Sequence, residues 1–316
     1  MPTILLIKTS SLGDLIHNLP VINDIRVGVP EASIDWVVEE SFLSIPCLHP
    51  GLVAAIPVAL RRWHRTLWRR ETRAEIAAFL RRLRGQTYDA VIDSQGLIKS
   101  ALIALAARGK HYGLDWHSAR EPLAVFYYRT FRIPWTLHAV ERNRLLAAQA
   151  LGYPVPERLD YGIGAAPRRF DWLASGAYAV LLHATSGDYK LWDEPNWIAL
   201  GKHLNTAGIG CVLPWGNDDE RQRAGRIAGA LSAAVVPPAL GLDELAALFA
   251  VARAVAGVDT GLTHLAAVLN TPTVGIYVAT DPGATGIYGC ARAVNLGGIG
   301  KPPAVSEVVA ALDHLL

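Results

Sequence analysis

The stretch Met1-Pro2-Thr3-Ile4-Leu5-Leu6-Ile7-Lys8-Thr9-Ser10-Ser11-Leu12-Gly13-Asp14 sets the reading of the whole chain. Ile4 to Ile7 is an apolar run without polar alternation, the pattern of a strand buried on both faces of a sheet. Lys8 to Asp14 is small and polar with one glycine, and Leu15, Ile16, Leu19, Ile22 and Ile25 then recur at helical spacing. A buried strand thus runs through a tight polar loop into a helix that a carboxylate opens. Ligands of α/β sheets sit at that edge, outside the carboxyl ends of the strands. Asp14 has two readings, a functional carboxylate at this edge or a charge favoured by the helix dipole. The stretch alone does not choose between them.

Strand and helix patterns alternate onward from there. Ser33 to Val38, Leu52 to Val58 and Tyr88 to Asp93 read as strands; Arg61 to Arg84, Lys99 to Ala107 and Leu137 to Leu151 read as helices. Leu67, Ile76, Phe79, Leu80 and Leu83 form the apolar stripe of the basic helix. Glycine and proline crowd residues 152–167, which reads as an interdomain connection. Alternation then resumes. Strands are expected at Tyr178 to His183, Gly210 to Leu213, Ala233 to Val236, Ala254 to Val258 and Thr273 to Tyr277, and a closing helix at Val305 to Leu316. Such spacing predicts βαβ units and parallel sheets, in two α/β domains with a ligand cleft between them. No internal sequence repeat is visible.

The 316 residues are 51% hydrophobic, enough for two cores, and the net charge of +2 gives no general pull on nucleic acid. Cys47, Cys211 and Cys290 are far apart and odd in number, which argues against a disulfide framework or zinc site and suits a reducing cytosol. Met1 to Ile7 lacks the length and cleavage site of a signal peptide, and no apolar stretch is long enough to span a bilayer. The expectation is a soluble protein, or one resting on a membrane surface.

Chemistry concentrates in the second half. In Gly257-Val258-Asp259-Thr260-Gly261-Leu262-Thr263-His264 a strand ends, turns and opens a helix, whose first N–H groups suit a phosphate. A plain helix cap explains one residue of this set but leaves Gly261 and His264 idle. Thr185, Ser186 and Lys190 follow another strand end, and an ammonium there suits a diphosphate leaving group. Glu220 follows Pro214-Trp215-Gly216 and reads equally as a ribose acceptor or a helix N-terminal charge. The chain has no GxGxxG and no P-loop, which disfavours a dehydrogenase or an NTPase, and no DxD-type metal clamp. Residues 61–84 carry nine arginines against Glu71 and Glu75, with Trp63 and Trp68 interleaved. That imbalance points to an anionic partner, a lipid head group or phosphorylated sugar.

Lys8 to Asp14, Tyr88 to Ser100 (Tyr-Asp-Ala-Val-Ile-Asp-Ser-Gln-Gly-Leu-Ile-Lys-Ser), Asp259 to His264 and Thr280-Asp281-Pro282-Gly283 resemble, in order and nearly end to end, the type I lipopolysaccharide heptosyltransferases of glycosyltransferase family 9. The resemblance implies a GT-B fold, two Rossmann-like α/β/α domains facing a central cleft. Residues 1–160 would bind the acceptor and 161–300 the donor, with a helix in 301–316 crossing back to the first domain. It implies inverting transfer of L-glycero-D-manno-heptose from ADP-heptose to a Kdo hydroxyl of Kdo-lipid A, with no cofactor and no obligatory metal. Asp14 would be the general base. Thr185, Ser186, Lys190, Glu220, Leu240, Asp259, Thr260, Gly261, Leu262 and His264 would bind the donor. Ser10, Ser11, Gly13, Arg61, Arg65 and Arg120 would bind the acceptor. His64 stands where the family has arginine, and Ser186 where threonine is usual. The implied setting is the cytoplasm of a Gram-negative bacterium, peripherally on the anionic inner leaflet of the inner membrane, with no nucleic-acid partner. Another nucleotide-sugar transferase of the same fold, or a non-catalytic nucleotide- or lipid-binding protein, are the alternatives.

Overall fold

A computed structural model describes residues 1–126 and 128–316. The chain divides into two compact units, Met1–Ile163 and Gly164–Leu316. The first contains a six-stranded parallel sheet of β1 (Thr3–Ile7), β2 (Ser33–Glu39), β3 (Ala54–Val58), β4 (Thr87–Asp93), β5 (Arg108–Leu114) and β6 (Arg129–Phe131), in the order β3-β2-β1-β4-β5-β6. Ile4 pairs with Ile34 and Ala90, and Ile7 with Val37 and Asp93, so β1 is flanked on both edges. Helices cover both faces, which is why Ile4 to Ile7 are buried and need no polar alternation. Pro57 lies inside β3, where a missing N–H is harmless because β3 is an edge strand.

Two features of this unit depart from the sequence expectation. The basic helix of residues 61–84 is two helices, Leu60–Thr66 and Arg70–Arg84. Thr66 Oγ1 bonds back to the Arg62 carbonyl and accepts from Thr72 Oγ1, and Arg69 turns to extended backbone. The turn lets Trp63 pack on Phe79 with ring centroids 5.7 Å apart, and lets Glu75 take both Trp63 Nε1 and Arg62. Leu67 falls in the break and is half exposed, whereas Phe79 and Leu83 are buried. Strands β5 and β6 escaped the sequence reading because they begin in charged residues and run towards the sheet edge, where an apolar run is not required.

A buried ion pair ties two helices of this unit. Arg144, on the helix Ala139–Leu151, donates to both Asp24 oxygens at 2.7 and 3.2 Å and to the Pro156 carbonyl at 2.6 Å. Asp24 lies on the helix Pro20–Gly28, and both side chains are almost fully buried. Arg144→Met should therefore leave Asp24 charged and unpaired, at a cost of about 3–5 kcal/mol. A urea-unfolding midpoint unchanged from wild type would show that the pair contributes nothing.

The second unit repeats the plan with β7 (Tyr178–Leu182), β8 (Gly210–Val212), β9 (Ala234–Val235), β10 (Ala254–Val258), β11 (Thr273–Tyr277) and β12 (Ala293–Gly297), in the parallel order β12-β11-β10-β7-β8-β9. Its core centres on Trp192 and Trp197, edge to face at 5.2 Å. The closing helix Val305–Leu315 buries Val308 and Leu312 in this same core.

In each sheet the strand order reverses beside the first strand of its unit, between β1 and β4 and between β7 and β10. Loops leaving such a pair diverge to opposite faces and open a crevice, the place where doubly wound sheets bind ligands. The loops that leave these four strands begin at Lys8, Ser94, His183 and Asp259.

Candidate active site

In the first unit the two loops at the reversal point are cross-tied. Asp93 ends β4 fully buried. It accepts from Tyr128 Oη and Ser100 Oγ, each at 2.7 Å, and from the Gln95 and Gly96 amides at 2.8 and 3.3 Å. Burial raises its carboxyl, and these bonds oppose that rise. Gly96 takes φ +66°, which closes the turn without a Cβ penalty. The turn aims Gln95 Oε1 at the Thr9 and Ser10 amides, 3.0 and 3.2 Å away, and the Ser94 carbonyl accepts Lys8 Nζ at 2.7 Å. The loop Lys8–Ser11 is thereby held through backbone groups by a different strand's turn.

Asp14 sits at the end of that loop, in the first turn of the helix Leu12–Ile16. One oxygen accepts from the Ser11 amide (2.9 Å) and hydroxyl (3.1 Å), and the other from Arg120 at 3.0 Å. Both readings of the sequence are thus physically present, since the carboxylate closes its own helix end and also faces a charged pocket. A cavity of about 30 Å³ is lined by Asp14, Lys8, Arg120, Arg142, Gln95 and Trp135 among others. Burial alone would raise the Asp14 carboxyl. The Lys8 ammonium, the Arg120 guanidinium and the Ser11 amide outweigh it and hold Asp14 below the ordinary carboxylate value. Burial lowers Lys8 itself to about 8. Arg142 is lowered to about 10 by burial and then by Arg120; its guanidinium lies 3.5 Å from the Trp135 ring centre and donates to the Ser118 carbonyl. Three cations around one carboxylate leave the pocket net positive, suited to an anionic group.

Lys8, Gln95 and Arg142 were not among the sequence-derived site residues. Lys8 was legible as the first polar residue after a buried strand. Arg142 was hidden because charge on a helix surface is ordinary, and only packing shows which face is buried. Of the expected acceptor residues, Ser10, Ser11, Gly13 and Arg120 gather around Asp14, with Ser10 buried and Ser11 exposed. Arg61 and Arg65 do not line this pocket. Arg61 starts the next helix, donates its amide to Glu39 and lies 5.6 Å from the Phe42 ring centre; Glu39 in turn donates its amide to the Thr9 carbonyl. Arg62 is paired with Glu40 and Glu75, so the basic segment is partly laced by salt bridges.

In the second unit, Asp259 at the end of β10 gathers the expected residues. It accepts from Lys190 Nζ at 2.7 Å and Thr280 Oγ1 at 2.8 Å, its carbonyl accepts from Thr185 Oγ1 at 2.9 Å, and His264 Nε2 lies 3.9 Å away. Burial pushes its carboxyl up, but His264, Lys190 and Thr280 together hold it far below the usual range. Thr260 stands at the N-cap position of the helix Gly261–Val268 without a side-chain capping bond, and the first turn carries Gly261 and Leu262, both partly exposed. Gly257 permits this close approach, because a Cβ there would overlap Thr263 Oγ1. Ser186 is exposed beside Thr185. Thr280, known from the sequence only as part of a motif, joins the site because β11 lies beside β10.

Glu220 accepts from the Gly216 amide (2.7 Å) and from Asn217 Nδ2 (2.9 Å), while its own amide donates to Asn217 Oδ1. This reciprocal cap starts the helix Asp218–Gly229 and occupies both carboxylate oxygens. Leu240 is half-buried in the loop after β9. Among the described residues no three of His, Cys, Asp and Glu converge to hold a metal ion.

The arrangement has known counterparts. The profile of glycosyltransferase family 9 (heptosyltransferase) matches residues 76–310. Lipopolysaccharide heptosyltransferase 1 of Pseudomonas aeruginosa is 47% identical over 297 residues, 93% of this chain and 83% of that protein. Its Escherichia coli K12 counterpart is 44% identical over 289 residues, 90% of this chain and 91% of that protein. The structure of E. coli heptosyltransferase WaaC with ADP superposes with a TM-score of 0.90 at 39% identity, covering 99% of this chain and all of that one. E. coli heptosyltransferase II, at 22% identity and a TM-score of 0.79, shares the fold. Two Rossmann-like α/β units of this order are the GT-B architecture, and with this degree of identity along nine-tenths of its length the chain belongs to glycosyltransferase family 9, the heptosyltransferases.

Proposed function

We propose that the enzyme transfers L-glycero-D-manno-heptose from its ADP-activated form to a Kdo hydroxyl of Kdo-lipid A, inverting the anomeric centre. The observation that carries this reading is Asp14, an ionised carboxylate held at the strand reversal of one unit, matched by the Lys190–Asp259–Thr280 cluster at the strand reversal of the other. The acceptor oxygen attacks the anomeric carbon, the bond from that carbon to the diphosphate breaks, and the hydroxyl proton passes to Asp14. A low-pKa carboxylate suffices because the hydroxyl becomes strongly acidic as its oxygen bonds to carbon. An acceptor carboxylate or phosphate that draws Arg120 away also raises Asp14 towards a better base.

In this scheme Ser10, Ser11, Gly13, Arg61, Arg65 and Arg120 bind the acceptor. Lys190, Thr185 and Ser186 hold the diphosphate and sugar. Asp259, Thr260, Gly261, Leu262 and His264 line the donor, and Glu220 and Leu240 meet the adenosine. Negative charge growing on ADP is stabilised by the Lys190 ammonium and the amides near Gly261. The reaction is placed at the cytoplasmic face of the inner membrane of a Gram-negative bacterium. The strongly basic character of residues 61–84 supports that placement; among the described residues no helix is long and apolar enough to cross a membrane.

The test is incubation with ADP-heptose and Kdo-lipid A, reading ADP release together with the mass of the heptosylated lipid. Absence of both products would overturn the proposal. Calorimetry should show ADP binding at least about tenfold tighter than UDP or GDP. Equal binding of the three would point to a transferase using a different donor.

A further inference from the structure

We propose that the outward face of the helix Ile98–Ala106, with the turn Pro122–Val125 and Phe126 beside it, is a docking surface for an anionic lipid bilayer. Ile98, Leu102 and Leu105 stand at i, i+4 and i+7 and form one stripe. The opposite face, Ser100, Ala101, Ile103 and Ala104, is buried against the sheet. The helix already has its inward contacts, so the leucine stripe is surplus to the core. Leu123 and Phe126 extend it on the neighbouring turn, which packs against the helix and is fastened by the Ile98 amide donating to Glu121 at 2.7 Å. These five side chains are between 42% and 68% exposed. Single exposed leucines are ordinary, but five on two adjoining elements make a patch that marks an interaction site.

The rim of the patch selects the occupant. Lys99 is exposed near the start of the helix. Arg84 donates to the Ala106 carbonyl at its end, and Arg108 and Lys110 follow, exposed, on β5. Arg129 is exposed on β6, paired beside β5. Arg120 set aside, because it faces Asp14, residues 97–132 hold five Lys and Arg against two acids. Both acids are engaged locally, Glu121 by the Ile98 amide and Asp115 by Ser118 and the His117 amide. A projecting apolar stripe with a cationic border fits the headgroup–acyl boundary of an anionic membrane, where apolar burial and charge attraction act together. A second copy of the chain fits poorly, because a two-fold contact would set the same cations against each other. Apart from Arg84 at its border, the surface uses none of the arginines of residues 61–84 and no residue of the proposed reaction, so it stands or falls independently of the acceptor assignment.

The experiment is sedimentation of the full chain with vesicles of phosphatidylglycerol and phosphatidylethanolamine, against vesicles of phosphatidylcholine alone. Wild type should bind the anionic vesicles at low salt and be released as salt rises. Leu102→Glu/Leu105→Glu should lower the bound fraction by about tenfold or more. Leu123→Ser/Phe126→Ser, on the other element, should act in the same direction, and ADP binding should be unchanged in both as a check on folding. Undiminished binding in both double variants would overturn the proposal, as would equal binding of wild type to the neutral vesicles. Loss of a wild-type oligomer in sedimentation velocity, with vesicle binding unaltered, would assign the patch to a second copy instead.

Discussion

Asp14→Asn should lower turnover with Kdo-lipid A by about a hundred- to ten-thousand-fold while ADP-heptose binding persists. The substitution keeps the size of the side chain and removes its ability to take a proton. It also replaces the oxygen that accepts from the Ser11 amide and hydroxyl or the one that pairs with Arg120, so a modest local loss of order accompanies the kinetic effect. Near-normal turnover in the variant would remove Asp14 as the base. The pH dependence gives a separate reading. Burial raises the Asp14 carboxyl, but Lys8 and Arg120 bring it below its ordinary value, so the carboxylate is ionised throughout the neutral range and its charge is lost only as pH falls through that depressed value. The stability that this charge contributes is therefore present above the unfolded-state carboxyl pKa and lost in acid. Arg120→Ala removes one of the cations and should move the acid limb of kcat/KM to higher pH. An acid limb that stays in place would show that Asp14 does not control it.

Lys190→Ala should lower kcat/KM by about a hundred- to thousand-fold and weaken donor binding in parallel. In the structure the ammonium is 2.7 Å from Asp259, and in the proposed scheme a donor phosphate would compete with that carboxylate for its charge. In the proposed scheme, removing it withdraws the cation that would stabilise the departing diphosphate. It also leaves Asp259 supported only by Thr280 and the more distant His264, so this carboxyl should rise from its depressed value. Lys190→Arg should recover part of the loss, since it restores charge with a broader, planar head. Unchanged kinetics in Lys190→Ala would put the donor site elsewhere. A rate loss without weaker donor binding would mean that the lysine acts only as the bond breaks.

Much of the fold was legible in the chain because burial leaves a local signature. Ile4 to Ile7 and Ala254 to Val258 are apolar runs of strand length, and each belongs to a central strand of a parallel sheet. The signature fades where burial does. Arg108-Gly109-Lys110-His111 and Arg129-Thr130-Phe131 are strands near an edge, set by pairing with a neighbour rather than by their own pattern. The break at Leu67–Arg69 was invisible for a similar reason, since the preference for a turn came from Trp63 meeting Glu75 and Phe79 of the second helix.

The sequence by itself determined the α/β class, the division into two units and the motifs that mark the family. It also located the strand ends to which the proposed chemistry is assigned, because apolar periodicity and turn residues are properties of neighbours along the chain. It showed no repeat, yet both sheets have the same strand order, so that likeness exists only in three dimensions. The tertiary structure alone decided which strand ends meet. Arg120 lies 106 residues from Asp14 in sequence and 3.0 Å from it in space, and Lys190 lies 69 residues from Asp259 and 2.7 Å from it. Parallel strands are joined by long crossovers, so the loops on either side of a reversal point are far apart in the chain. No local pattern encodes their meeting, and the charge state of Asp14, on which the proposed chemistry rests, follows from that meeting.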